Sequence, residues 1–220
     1  ESAIKYEMSM RRRGPGLAGV LGILGVVLLG FAAMSFVAAN WQDMPRLVRL
    51  GIIFSGLAGA YGAAAALFAR GLDAFAHAAI LLGVAVFGAG IMLIAQMYHI
   101  DGHPPDAVLV WALGALGAGV LVRSNAALAA AAVLFGLWTG MESSLIKTAH
   151  WPFLLAVGAL AGSFAFARWW PGAHLVGLLV AGFTVRLGYV LDAGHGHELV
   201  VMTGLAIAGL AVAMARGLVR

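Results

Sequence analysis

Residues 74–97 have the sequence AFAHAAILLGVAVFGAGIMLIAQM, which contains no acidic or basic side chain apart from one histidine. A helix needs about 20 predominantly apolar residues to cross the hydrocarbon core of a bilayer. This stretch meets that requirement, and seven further stretches resemble it. We therefore expect an all-α, polytopic integral membrane bundle of about eight transmembrane helices, near residues 17–39, 48–69, 74–97, 107–122, 126–141, 151–167, 173–191 and 199–216.

The composition excludes an ordinary water-soluble domain. Charged residues make up 10% of the chain and hydrophobic residues 63%, whereas charged residues are about 25% of a typical soluble domain. The formal net charge of +4 would suggest nucleic acid in a soluble protein. In a membrane protein it reflects basic turns on one side, so we expect no nucleic-acid partner. The absence of cysteine excludes disulfides and thiolate metal sites.

The basic residues predict the orientation of the helices, because cytoplasmic turns carry an excess of Lys and Arg. With a cytoplasmic N-terminus, only Arg46, Arg49 and Lys147 fall on the outer side, and Arg186 lies within a span. The other nine fall on the inner side, so we expect both termini to be cytoplasmic. The inner set is Lys5, Arg11, Arg12, Arg13, Arg70, Arg123, Arg168, Arg216 and Arg220.

This topology divides the chain into three segments. We expect residues 1–16 to form a cytoplasmic N-terminal segment, residues 17–216 a single transmembrane helical domain, and residues 217–220 a cytoplasmic end. The chain begins at Glu1 without an initiator methionine, so the N-terminal segment is expected to be truncated.

Polar side chains concentrate at the outer ends of the spans. In the segment AQMYHIDGHPPD at 95–106, Gln96 and His99 are three residues apart and share a face if the helix continues to that point. Gly102 and the two prolines would then end it. Such residues bond a neighbouring helix or contact a small molecule. We expect an outer-face polar cluster of Asn40, Trp41, Gln96, Tyr98, His99, Asp101 and Arg186.

Arg186 is the one charge clearly inside a span, about five residues from its outer end. A guanidinium within a bilayer is costly unless its charge reaches water or a partner. Snorkelling outward to Asp192, Glu198 or an acidic residue of another helix would relieve that cost. The main hypothesis is a structural ion pair, and the alternative is contact with an anion or substrate.

Histidines at the outer side suggest a metal site, which we consider unlikely. The candidates are His99, His103, His195 and His197, but their spacing fits no tight ligand template. His197-Glu198 begins like the zinc-protease motif HExxH and lacks its second histidine. No P-loop, dinucleotide or nucleophile-elbow motif occurs either. We expect neither enzyme activity nor a cofactor.

Two stretches carry a resemblance to a known family, AANWQDMPRLVRL at 38–50 and GAGIMLIAQMYHIDGHPPDAVLVWALGALGAGVLVRS at 88–124. They resemble domain-of-unknown-function family 2157, whose members are bacterial membrane proteins. In that family Asn-Trp ends the first span, Gln-x-Tyr-His-Ile ends a later one, and a Trp-containing helix leads to Arg-Ser. The matching positions are Asn40, Trp41, Gln96, Tyr98, His99, Ile100, Trp111, Arg123 and Ser124.

The resemblance covers residues of about 17–140 and implies a polytopic protein of the bacterial inner membrane without naming a reaction. Members of the family often carry an additional soluble N-terminal segment.

Small residues recur on helix faces, as in Ser55-xxx-Gly59, Gly136-xxx-Gly140 and Gly158-xxx-Gly162, and are expected to pack inside one bundle, with oligomerisation as the alternative. We therefore expect a non-catalytic scaffold, accessory or assembly subunit of a membrane complex. Its partners would be the lipid bilayer and a membrane protein or a second copy of the chain. Two alternatives are a small-solute transporter or channel-like protein with an outer-face polar site, and a periplasmic-face metal- or ligand-binding sensor.

Overall fold

The computed structural model describes residues 39–146 and 149–191, together with the single positions 28, 32, 35, 202, 204, 205 and 209. All regular structure in this part of the chain is α-helical, which confirms the predicted fold class. Six helices have described bounds. They are α1 (Arg46–Ala69), α2 (Asp73–Tyr98), α3 (Pro104–Leu121), α4 (Asn125–Ile146), α5 (Phe153–Phe166) and α6 (Trp170–Leu191).

Five of these six helices are long and apolar enough to cross a membrane, and α5, with 14 residues, is shorter. They correspond in order to the second to seventh predicted spans. The first and eighth predicted spans, 17–39 and 199–216, lie largely outside the described residues. The count of eight spans, the location of the termini and the three predicted segments therefore stay predictions.

Helices α1 and α2 form an antiparallel hairpin in which large side chains of α1 pack over glycines of α2. The Tyr61 ring lies over Gly83, and the Ile53 side chain lies over Gly90. A contact further along α1 thus falls earlier on α2, as antiparallel packing requires. Glycine leaves room on α2 for these large side chains, so the two helices pack through them.

Helices α2 and α3 repeat this arrangement. The Trp111 ring packs on Gly88 so closely that a Cβ atom there would lie 2.0 Å from it. The indole Nε1–H donates a hydrogen bond to the Val84 carbonyl at 2.8 Å, which fixes the ring in this position. Phe87 packs on Gly114 of the facing helix in the same way. The glycines of this interface are therefore filled by aromatic rings.

Helix α4 is the centre of the described bundle, because it contacts α2, α3, α5 and α6. Its Leu128 packs on Gly119 of α3, and the side chains of Leu128, Phe135 and Trp138 are buried. Ser124, fully buried, precedes the helix and caps it, since its Oγ accepts a hydrogen bond from the Ala127 N–H at 3.4 Å.

Helices α4 and α6 run parallel to each other. Leu179 contacts Gly136, and Arg186 contacts Ser143, so both contacts join residues 43 positions apart. Helix α5 runs antiparallel to α6, with the Phe153 ring beside Phe183 at 5.7 Å between ring centroids. The connections α1–α2, α3–α4 and α5–α6 consequently lie at one end of the bundle. We name this the basic end, because it carries Arg70, Arg123 and Arg168; the other is the distal end.

Helices α1, α2, α3 and α5 end in the same backbone conformation. A single residue after the last helical turn is left-handed, and the N–H of the following residue bonds to a carbonyl five positions back, as between Ser124 and Gly119 at 2.9 Å. This is the Schellman motif, which satisfies carbonyls at a helix end. The left-handed residues are Gly71, His99, Arg123 and Arg168, with φ of 70°, 50°, 53° and 51°.

Candidate ligand-binding site

The predicted polar segment at the end of α2 lies at the distal end and is exposed. Gln96, Tyr98, His99 and Asp101 all have exposed side chains, and that of Tyr98 is 45% exposed. Gln96 and His99 were expected to share a helix face if the helix continued to that point, and this condition is not met, because α2 ends at Tyr98 and His99 turns into the left-handed region. The helix therefore ends through the Schellman motif, before Gly102.

Asn40 and Trp41 belong to the first of two compact units, residues 1–49, whereas the remaining candidates belong to the second, residues 50–220. In the first unit Arg49 organises the turn after Asn40. Its Nε–H donates to the Met44 carbonyl at 2.9 Å and its Nη2–H to the Gln42 carbonyl at 2.7 Å. Its guanidinium carbon lies 5.7 Å from the centre of the Trp41 ring. Trp41 therefore contacts Arg49 of its own unit.

Arg186 reaches from α6 to α4. Its Nη2–H donates a hydrogen bond to the Ser143 carbonyl at 2.6 Å, while its Nε is buried and has no hydrogen-bond partner among the described residues. Asp192 and Glu198, the predicted ion-pair partners, lie outside the described residues. Within the described chain the guanidinium therefore meets a carbonyl and no carboxylate.

A cavity of about 420 Å³ lies between the parallel helices α4 and α6. Its volume falls in the range of small-molecule pockets, roughly 300–1,000 Å³. We name it the α4–α6 cavity. Its wall includes Thr139, Gly140 and Ser143 of α4, Gly182 and Arg186 of α6, and Phe153 of α5.

Glycines keep this cavity open. A Cβ atom added at Gly140 or Gly182 would meet no heavy atom within 4 Å among the described contacts, and one at Gly136 would touch only the end of Leu179 at 3.0 Å. Gly136 of the Gly136-xxx-Gly140 motif packs against Leu179 inside the bundle, as predicted for the motif. Gly140 instead faces the cavity. Gly59, Gly158 and Gly162 likewise have open space above them in the described part of the chain.

A buried histidine lies behind the α4 wall of the cavity. His150, in the connection between α4 and α5, is only 6% exposed. Its Nδ1 shares a hydrogen bond with Thr139 Oγ1 at 2.9 Å, and its ring meets Trp138 edge-on, with 4.4 Å between centroids. Burial lowers the pKa of His150, and the negative charge of Glu142 opposes that shift. Thr139 thus connects the cavity to a buried imidazole.

The metal candidates are only partly described. His103 Nε2 lies 2.6 Å from Glu142 Oε2, which joins the start of α3 to α4. Across residues 39–146 and 149–191, no three histidine or carboxylate side chains come together in a way that could hold a metal ion. His195 and His197 lie outside the described residues. The described geometry therefore gives His103 a carboxylate partner.

Sequence reasoning identified Arg186 but missed the hydroxyl residues of the cavity wall, among them Thr139 and Ser143. These two are four residues apart on α4 and so lie on one helix face. This pair of hydroxyl side chains at helical spacing was the signal in the sequence that could have identified them. Their proximity to Arg186 could not be predicted from the sequence, because it depends on the parallel pairing of α4 with α6.

The family model described as predicted membrane protein (DUF2157) matches residues 2–128, which is more than half of the chain. The chain belongs to this family. The predicted resemblance is confirmed, and with it the assignment as a membrane protein. The α4–α6 cavity begins at Gly136 and so lies beyond the matched residues. Comparisons with curated proteins and with solved structures give no match.

Proposed function

We propose that this member of the family is a non-catalytic, multi-pass protein of the bacterial inner membrane that binds a small anionic ligand in the α4–α6 cavity. The observation that carries the proposal is Arg186. Its positive charge stands at the wall of a 420 Å³ cavity and has no carboxylate partner among the described residues. Charges inside membrane helices normally face a partner or a functional cavity.

The position of the charge favours an anion over a neutral solute. One edge of the guanidinium is held by the Ser143 carbonyl, so the side chain is fixed in place, and no carboxylate among residues 39–146 and 149–191 neutralises it. Glu142, which directly precedes Ser143 in the sequence, is engaged by His103 on the α3 side of α4. An anion in the cavity would supply the missing charge in surroundings of low dielectric constant, where ionic interactions are strong.

We further propose eight spans with a cytoplasmic basic end, which places the cavity near the periplasmic side. Arg70, Arg123 and Arg168 share one end of the bundle, and such an excess of basic residues is typical of cytoplasmic turns. The chain lacks cysteine, so single cysteines give a clean test. A cysteine at Asp101 should react with an impermeant thiol reagent in intact spheroplasts, whereas one at Arg123 should react only after lysis. The reverse pattern would contradict this topology.

Thermal unfolding in an uncharged maltoside detergent tests the ligand. We expect at least one of acetate, inorganic phosphate or dodecanoate to raise the melting temperature of the wild-type protein. The increase should be lost in Arg186→Gln and kept in Arg168→Gln, which removes an equal charge at the basic end. If no anion stabilises the wild-type protein, or if Arg186→Gln responds equally, the proposed function is wrong.

A scaffold or accessory role remains the second candidate, because α1 presents an open face of small residues. Gly51, Gly59 and Gly62 have no described heavy atom within 4 Å of an added Cβ, and Ser55 between them is exposed. In lipid, such faces are typical of helix association. Purification from native membranes in mild detergent should then yield a larger complex that Gly59→Leu disrupts and Gly158→Leu preserves.

A further inference from the structure

We propose that the ligand of the α4–α6 cavity is an anionic single-chain amphiphile that enters from the outer leaflet, with its anionic head at Arg186 and its chain directed toward the bilayer midplane. This rests on the proposed function and names the ligand class. The inference comes from the polarity, length and opening of the cavity.

The charged group and two hydroxyl groups of the cavity wall lie at its distal end, beside Phe153 and Phe183, and the lining deeper in the bundle is apolar apart from Thr139. Ser143, Ser144 and Arg186 form its distal part, whereas Gly136, Leu178 and Leu179 form the part deeper in the bundle. Because α4 and α6 are parallel, both helices contribute polar residues at the same end. A lipid molecule has this arrangement of head and chain when it stands in the outer leaflet.

The cavity is also elongated along the helix axes. Its lining extends over nine residues on each helix, from Gly136 to Ser144 and from Leu178 to Arg186. These eight steps correspond to about 12 Å at the helical rise per residue. A compact anion such as phosphate would occupy only the distal part. A chain lying parallel to the helices would fill the remainder.

The cavity opens at the side of the bundle, which is the direction of the lipid if these helices span the membrane as proposed. Leu178 is 70% exposed, and Gly140 and Gly182 are exposed on the two sides of the groove. Glycines on both rims leave a lateral gap that larger side chains would close. An amphiphile can thus move from the membrane into the cavity without passing through water.

The head group is specified by Arg186. A guanidinium favours carboxylate and phosphate oxygens through paired N–H groups. The cavity holds one such group and no second basic residue among its lining residues. We therefore expect a single anionic head, either a carboxylate or a phosphate.

Isothermal titration of the purified protein in uncharged maltoside tests this inference with defined probes: dodecanoate, dodecyl phosphate, dodecanol, acetate and inorganic phosphate. We expect dodecanoate or dodecyl phosphate to bind at least 100-fold more tightly than acetate and inorganic phosphate. Dodecanol should bind at least tenfold more weakly than its anionic counterparts, because it lacks the charge that Arg186 attracts.

Two variants locate the binding. Gly182→Leu should abolish binding of the dodecyl anions, because its side chain would extend into the space that now lies open above Gly182. Gly158→Leu is the matched control, since the same change is made at an open glycine of α5, outside the cavity lining. Arg186→Gln should weaken binding at least tenfold and remove the preference over dodecanol.

The outcomes separate the two proposals. If acetate or inorganic phosphate binds as tightly as the dodecyl anions, the amphiphile inference is wrong while the anion-binding function stands. Equal binding of dodecanol, or undiminished binding to Gly182→Leu, also overturns the amphiphile inference. If no anion binds at all, both proposals fail together.

Discussion

The α2–α3 interface and the α4–α6 cavity both contain glycines, but the space beside these glycines is filled in the interface and empty in the cavity. At Gly88 the ring of Trp111 occupies the space that a side chain would need, and an added Cβ atom would lie only 2.0 Å from that ring. At Gly182 the equivalent space is open and belongs to a cavity. Glycine therefore allows close packing in the first region and keeps a ligand-sized volume free in the second.

If the proposed function is right, this difference separates a structural part of the bundle from a ligand-binding part. A filled glycine contributes to stability through the contacts of the group that covers it. An open glycine contributes no such contact and still carries the entropic cost of glycine within a helix. In the proposed account, Gly140 and Gly182 differ from the other open glycines because they line a cavity and leave room for its ligand.

The largest expected effect is at the filled position. Gly88→Ala should lower the free energy of unfolding by about 1–3 kcal/mol, because the new methyl group overlaps a ring that is hydrogen-bonded in place. Thermal unfolding in detergent measures the change. The double variant Gly88→Ala/Trp111→Leu should lose less than the sum of the single variants, since the overlap is gone. Strict additivity would show that the ring is not the obstacle.

At the open position we expect the opposite sign. Gly182→Ala should raise the free energy of unfolding by up to about 1 kcal/mol, because alanine is the better helix former and meets no atom within 4 Å. The same melting experiment in ligand-free detergent measures it. A loss of stability comparable to that of Gly88→Ala would mean that the groove is closed.

The pH dependence of stability tests the environment of His150, which lies behind the α4 wall of the α4–α6 cavity. Its pKa is lowered by burial, with Glu142 opposing the shift, so the unfolded state binds a proton more readily than the folded state. Stability from neutral His150 is thus complete above the unfolded pKa of about 6.5 and is lost as pH falls through the lower, folded value.

The melting temperature of the wild-type protein should therefore drop more between pH 8 and pH 5 than that of His150→Gln, which keeps a hydrogen-bonding group near Thr139. Parallel pH profiles for the two proteins would show that His150 is not responsible.

The smallest effect belongs to the intermediate position. Gly136→Ala places a Cβ 3.0 Å from the end of the Leu179 side chain, which is flexible and can move slightly. The gain in helix propensity and the cost of this adjustment should nearly cancel, leaving a change within about 0.5 kcal/mol. A large loss would place Gly136 among the filled glycines.

Much of the helical framework could be predicted from the sequence. The predicted span 74–97 is α2, Asp73–Tyr98, and the other described helices follow their predicted spans within a few residues, although α4 extends to Ile146 where the prediction ended at 141. Length and hydropathy determine such boundaries because lipid accepts only continuous helix. Whether α2 continues to His99 could not be predicted, because a left-handed residue at a helix end is a local backbone choice that composition does not reveal.

The cavity could not be predicted, and the reason is physical. In water a helix shows which face is buried through an apolar stripe, but lipid chains are as apolar as leucine and remove that signal. Gly88 and Gly182 therefore look alike in the sequence. The contact of Arg186 with Ser143 joins residues 43 positions apart across a parallel pair, which no local spacing encodes. Only Arg186 itself stood out, because a charge in lipid requires an explanation.

Native mass spectrometry of the protein released from undisturbed membranes in mild detergent tests the central claim most directly. We expect the wild-type protein and Gly158→Leu to carry one bound anionic amphiphile, and Gly182→Leu to carry none. An unoccupied wild-type protein, or the same bound species on all three proteins, would contradict the claim that the α4–α6 cavity holds an anionic amphiphile.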